Sequence, residues 1–226
     1  MSPPAGSDPA TAEGFDPALA GVTGGIGAGK STLSRLLASE GPWPLLEADA
    51  FGHEALQAGS PLLPEIFRRF GSTAMDESGA ADRSSLGAIV FDDPQALADL
   101  NRITHPWILR RLQEELGRLR TSGYDDIILF DAALLLDWRD RIRPRWIVAV
   151  VSPLEQRLRR LSALGMAPEQ ASRRIRRQRD DAEFRAAATW VVENGGTRED
   201  LAERGRELAV RLRTAHGISP ETQTGR

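Results

Sequence analysis

At 226 residues, 41% hydrophobic and 27% charged, the chain has the make-up of an ordinary globular protein that can bury a sizeable core, read as one domain with an insertion or lid. It has no cysteine, which excludes disulfides, thiolate chemistry and cysteine-ligated metals, and only three scattered histidines (His53, His105, His216), which argues against a histidine-rich metal site. A net charge of -3 argues against general nucleic-acid binding, no apolar run approaches the ~18 residues of a membrane span, and no secretion signal opens the chain, so a cytoplasmic location is expected.

Residues 1–17, rich in Pro, Ala, Gly and Asp, read as a disordered leader, and residues 217–226 read as a tail of the same kind. Leu19 to Thr23 reads as a first strand that runs straight into a glycine-rich turn. Ser31 to Ser39 follows as a helix with Leu33, Leu36 and Leu37 on one face. Trp43 to Ala48 reads as a second strand ending at Asp49. Residues 52–120 are helical in pattern, hold no clear strand, and read as an inserted helical region. Asp126 to Asp131 reads as a third strand, apolar throughout its middle like a strand buried on both faces. Trp146 to Val151 and Trp190 to Val192 supply a fourth and a fifth. Strands alternating with helices predict an α/β fold: a parallel sheet wrapped by helices.

The turn after the first strand reads Gly24-Gly25-Ile26-Gly27-Ala28-Gly29-Lys30-Ser31, which fits G-x-x-x-x-G-K-[ST] at every required position. Lys30 is the only lysine in the chain; the other 28 basic residues are arginine. Base-composition bias is the plainer explanation of the depletion, and the retained position is one where a slender ammonium is hard to replace with a planar guanidinium. Glycines let the backbone curl round phosphate oxygens with its N–H groups inward, and the helix behind aims its positive end at the same anion. The strand before and the helix after give this motif its expected context, so the chain is read as binding a nucleoside triphosphate; a glycine-rich strand-to-helix turn without a ligand is the plainer reading.

Three further features bear on chemistry. Ser31 can offer a hydroxyl to Mg²⁺, and Asp131, closing the third strand, stands where a carboxylate can hold the ion or its water shell. Asp49 ends the second strand, and in a parallel sheet ligands lie at the carboxyl ends of strands, so it is expected to face the same cleft, as a proton acceptor or as a helix cap. Nine arginines fall between Arg157 and Arg185, a density read mostly as a solvated helical face with one or two members on an anionic partner.

The run from Val22 to Thr32 resembles the opening of dephospho-CoA kinases, T-G-G-I-G-S-G-K-S, with Ala28 for the usual serine. Glu47-Ala48-Asp49 resembles that family's D-A-D. Phe70-Gly71, Gly79, Asp82-Arg83-Ser84-Ser85-Leu86, Val90-Phe91-Asp92, Leu100-Asn101 and His105-Pro106 follow in the family's order. Ala132 to Asp137 is similar to V-P-L-L-F-E, and Gln156 with Arg159, Arg174 to Gln178, and Asn194-Gly195-Gly196 complete a series running from about Val22 to Leu212.

The resemblance implies ATP-dependent phosphorylation of the ribose 3′-hydroxyl of 3′-dephospho-CoA, the last step of coenzyme A synthesis, with ATP and Mg²⁺ as cofactors and no nucleic-acid or membrane partner. It implies a three-layer P-loop NTPase fold with a five-stranded parallel sheet: a core at 18–51 and 121–216, a helical acceptor-binding insertion at 52–120, and a helical lid at about 157–185. By position, Gly27, Ala28, Gly29, Lys30, Ser31 and Thr32 cradle the phosphates, Asp49 is the base or hydroxyl-orienting carboxylate, and Arg174 reaches from the lid. Asn194 and Gly195 lie where adenine is gripped; Arg83, His105 and Asp137 match the acceptor side. Ala163 stands where the family usually has a second lid arginine, which Arg160 could replace, and Leu164, Ala133, Asp137, Thr189 and Glu47 are further departures. A P-loop kinase for another hydroxyl or nucleotide acceptor, and a nucleotide-binding regulatory relative with little turnover, are the competing readings. Oligomeric state is not legible.

Overall fold

The computed structural model describes residues 18–217, so the expected leader and the tail beyond Gly217 lie outside the described residues. Five strands make one parallel sheet: β1 (Leu19–Thr23), β2 (Leu45–Glu47), β3 (Ile128–Asp131), β4 (Trp146–Val151) and β5 (Trp190–Glu193). Their order is β2-β3-β1-β4-β5, with β1 in the middle. Every residue of β1, β3 and β4 is buried, which is why these strands read as continuous apolar runs and not as alternation.

Successive strand residues point to opposite faces, and each face has its own helices. On one, α1 (Lys30–Glu40) and α10 (Arg198–His216) bring Leu33, Leu37, Leu208 and Leu212 against Val22, Val148 and Val150. On the other, α5 (Pro94–Thr121) and α6 (Leu135–Ile142) bring Ile108, Leu112, Leu135 and Trp138 against Leu19, Phe130 and Ile147. This is the α/β sandwich that the strand–helix alternation predicts.

Two strands are shorter than expected. β2 starts only at Leu45, because Pro44 has no N–H to give to a ladder. Trp43 is instead drawn into the core, where its Nε1 donates to Asp126 Oδ1 over 3.2 Å. The same Asp126 oxygen accepts from the N–H of Ile127, so the chain enters β3 at Ile128 and not at Asp126. Nor does β2 run on to Asp49: α2 (Ala48–Glu54) begins directly after Glu47, and Asp49 falls in its first turn.

Between β2 and β3 the chain forms α2, α3 (Leu63–Phe70), a short 3-10 turn (Ser72–Ala74), α4 (Arg83–Asp92) and α5, with a single antiparallel bridge, Met75 to Ala81. Leu63, Ile66, Phe70, Leu86 and Ile103 pack together as a cluster of their own. Asp82 and Asp93 cap α4 and α5 by accepting from first-turn N–H groups, and Pro94 occupies the first turn of α5.

With that cap, α5 starts at Pro94, and His105 lies mid-helix, just before Pro106. Its Nδ1 accepts from Trp138 Nε1 at 3.3 Å, and the rings meet edge to face with centroids 5.0 Å apart, joining α5 to α6. Burial pushes the imidazole below its ordinary pKa, with Asp137 opposing and Arg141 adding to the shift. Between β4 and β5 run α7 (Leu154–Ala163), α8 (Pro168–Arg176) and α9 (Asp181–Ala187), the last held to β4 by Phe184 against Ala149 and Val151.

Leu33 is fully buried between α1 and the sheet, so Leu33→Ala should lower stability by ~2–5 kcal/mol in urea denaturation; a loss under ~1 kcal/mol would contradict this packing. His105 favours its neutral form in the fold, so its contribution is present above the unfolded pKa of about 6.5 and declines as pH falls through the folded pKa below it. The melting temperature of wild type should therefore drop more between about pH 7.5 and 5.5 than that of His105→Gln; parallel curves would count against a buried neutral imidazole.

Candidate active site

β1 delivers the chain to the carboxyl ends of the strands, and residues 24–29 cross those ends before α1 starts at Lys30. Gly29 sits at φ 97°, in the left-handed region, and a Cβ there would lie 2.1 Å from Asn194 Nδ2. A Cβ on Gly25 would lie 2.3 Å from Arg157 Nη2. The glycines are thus required by protein packed against the loop as well as by any ligand above it. α1 has no side-chain cap and no acidic residue in its first turn, so its opening N–H groups are left to an anion. Ser31 and Thr32 stand half-buried in that turn.

Lys30 is ion-paired with Asp131 Oδ1. Asp131 ends β3, paired in register with Val22 on one side and Glu47 on the other. It is 3% exposed, and its Oδ2 is buried with no hydrogen-bond partner. Such an oxygen is costly unless a cation or water satisfies it. Asp49 lies two residues beyond Glu47, exposed, with no hydrogen bond or ion pair among the described residues, and it is not the cap of α2, whose N-cap is Glu47.

Beneath the loop are two arginines. Arg157 Nε donates to Ile26 O at 2.8 Å. Arg160 Nη1 donates to the carbonyls of Gly27 (3.2 Å) and Ala28 (3.3 Å) and to Ser152 Oγ, while its Nη2 donates to Asn194 O and Oδ1. Asn194 Nδ2 donates to Ala28 O at 2.7 Å. Burial pushes both guanidinium groups below the ordinary arginine pKa, yet they stay cationic in the working range. Their charge lies behind the carbonyls of the loop, so the N–H groups are turned the other way. A groove of about 520 Å³ opens beside the loop, lined by Gly29, Thr32, Leu36, Thr197, Arg198 and Leu201 among others. That is room for a nucleobase and sugar. A second groove, about 410 Å³, lies between β5 and α10 and is lined by no residue of the loop.

Other residues singled out in the sequence lie elsewhere. Arg174 has its guanidinium 5.6 Å from the centre of the Phe91 ring, beside Arg173 at 4.8 Å and Arg177 at 5.6 Å, so α8 leans on the end of α4 and Arg174 is not at the loop. Asn194 is buried with its side chain turned to the loop and also lines the groove, together with Gly196; Gly195 is not among the lining residues. Arg160 does not take the outward place of a second lid arginine; it is used under the loop. Arg83 meets His53 Nδ1 at 3.0 Å between α4 and α2, and Asp137 pairs with Arg179 at 2.6 Å. Arg157 and Gln178 are in contact with the loop; the arginine density over 157–185 is the signal for Arg157, and Gln178 closes the family-like run from Arg174 without a role assigned to it.

A family model described as dephospho-CoA kinase matches residues 18–200. The dephospho-CoA kinase of Leifsonia xyli subsp. xyli is 41% identical over 183 residues, covering 80% of this chain and 92% of the relative. That of Anaeromyxobacter dehalogenans is 38% identical over 205 residues, covering 87% and 93%. The solved structure of TT1252 from Thermus thermophilus superposes with a TM-score of 0.71 at 36% identity, over 87% of this chain and 98% of its own. Shikimate kinase from Bacteroides thetaiotaomicron, with a TM-score of 0.52 at 16% identity over 86% and 97%, shares the fold. The matched residues contain the loop, Asp49, Asp131, the arginines beneath the loop and the lining of the groove beside it except Leu201, and on this footing the chain belongs to the dephospho-CoA kinase family of phosphotransferases.

Proposed function

We propose that this protein transfers the γ-phosphoryl group of ATP to the ribose 3′-hydroxyl of 3′-dephospho-CoA, giving coenzyme A and ADP. The observation that carries the reading is the uncapped start of α1 with Lys30 and Asp131 at the strand ends, in a chain whose relatives are dephospho-CoA kinases. The N–H groups of Gly27 and of Gly29 to Thr32 receive the phosphates, while that of Ala28 donates to the Gly25 carbonyl within the loop, and Lys30 turns from Asp131 to the β- and γ-oxygens. The residues present suit Mg²⁺: Asp131 offers an unpartnered oxygen and Ser31 a hydroxyl. When bound, the ion would supply positive charge to offset that of the phosphates.

Asp49, exposed at the head of α2, orients the acceptor hydroxyl or takes its proton. The helices of 52–120 form the acceptor side of the cleft, with Arg83, His105 and Asp137 as its polar groups. His105 uses Nδ1 to accept from Trp138, so in its neutral form Nε2 carries the proton and can donate. Arg174 leaves Phe91 to reach ATP when α8 closes, which adds charge and excludes water. No helix among the described residues is long and apolar enough to cross a membrane. The cytoplasmic location belongs to the proposal and does not rest on that absence.

Lys30→Ala should lower kcat/KM by roughly 100- to 1,000-fold in an assay of ADP release with ATP and 3′-dephospho-CoA; wild-type rates would remove the loop from the reaction. Asp49→Asn should lose roughly 100-fold or more in kcat, while the ATP dissociation constant measured by titration calorimetry stays within about threefold. Near-normal turnover in that variant would take Asp49 out of the chemistry.

A further inference from the structure

The corner between α8 and α9 is tied to the core at several points. Gln178 Oε1 accepts from the N–H of Ile26 at 2.7 Å and from Arg157 Nη2 at 3.4 Å. Arg157 Nε in turn donates to Ile26 O. Both polar groups of one loop peptide unit's residue are therefore held by two side chains that also touch each other. The next residues continue the attachment. Arg179 pairs with Asp137 on α6, Asp180 and Glu183 form a capping box on α9, and Asp181 approaches Arg157 at 3.6 Å. Arg157 is 5% exposed, so its guanidinium is aimed by burial, not by chance contact.

α8 itself is held far less. Only Ala171 of α8 is buried, Gly165 takes φ 83° in the turn before it, and Leu164 is 82% exposed. At its far end its arginines lean on Phe91. The helix is thus loose where it follows α7 and fixed where it meets the corner at Gln178.

We propose that Gln178 is a positioning residue: through its contacts with Ile26 and Arg157 it sets the mouth of the phosphate-binding loop and anchors the fixed end of α8 to that loop. This rests on the reading that the loop binds ATP. The moving lid is then confined to residues 164–177, with 178–181 as its fixed hinge and α9 part of the core. Ile26 directly precedes Gly27 and Ala28, so the plane of its peptide governs where the following N–H groups point. Loss of the Gln178 contact leaves the carbonyls of the loop held by Arg157, Arg160 and Asn194 but releases the Ile26 N–H, which misaligns the γ-phosphate more than it weakens binding of the acceptor.

The test uses the full chain with Gln178→Ala and Gln178→Glu, reading kcat and KM separately and amide hydrogen exchange of the 24–30 segment with and without ATP. Gln178→Ala should lower kcat about 10-fold with the KM for the acceptor within about twofold, and should raise exchange in the loop about 10-fold. Gln178→Glu keeps an accepting oxygen and should restore the exchange protection. Wild-type kcat and wild-type loop exchange in Gln178→Ala would overturn the proposal. So would a lower kcat accompanied by faster exchange throughout the sheet, which is what general destabilisation produces. Exchange reports the coupling whatever the acceptor is; if dephospho-CoA is not the substrate, wild type forms no coenzyme A while the exchange result still stands or falls alone.

Discussion

The segment from Gly24 to Gly29 contains four glycines, one isoleucine and one alanine, so it has no polar side chain with which to hold its own shape. A backbone that must present N–H groups to a highly charged ligand cannot be left to wander, and its rigidity has to come from outside. Here it comes from Arg157, Arg160, Asn194 and Gln178, which hold the carbonyls of Ile26, Gly27 and Ala28 and one N–H from the side away from the cleft. Binding the carbonyls from behind turns the remaining N–H groups forward. The requirement reaches far along the chain: these partners lie more than a hundred residues from the loop, and α7, the α8–α9 corner and the end of β5 are all placed by it.

The parallel sheet brings the rest of the site to the same edge. Because β1 lies between β3 and β4, the loop leaves the centre of the sheet, with Asp131 in the adjoining strand and Asp49 just beyond β2. Lys30 and Asp131 form an ion pair with one carboxylate oxygen unsatisfied. On the proposed function, the pair exchanges partners: an incoming phosphate draws the ammonium, and the carboxylate is then available for a cation. The energy that would otherwise tie up the pair is returned by the ligand's own charge.

Much of this was legible in the sequence for a physical reason. Strands buried on both faces are apolar without interruption, so β1 and β4 were read to the residue, and the loop motif stands between a strand and a helix as its chemistry demands. Element ends were less legible where side chains intervene. Pro44 and the Asp126 side chain shorten β2 and β3, and neither effect has a periodicity. The supporting arginines were the least legible. Arg157 and Arg160 lie in the same arginine-rich stretch as exposed Arg159, and one turn of helix decides which face the loop and which face water. Arg174 shows the converse: the resemblance assigns it to ATP, and its resting place on Phe91 depends on a ring in a distant helix.

The account is tested most directly by the identity of the product. Wild-type protein is incubated with ATP, Mg²⁺ and 3′-dephospho-CoA, and the products are resolved by mass spectrometry with phosphorus NMR to locate the new phosphate. The account predicts coenzyme A phosphorylated at the ribose 3′-position, formed in step with ADP and only when the acceptor is present. ADP formed without coenzyme A, or a phosphate placed on another group, would contradict it.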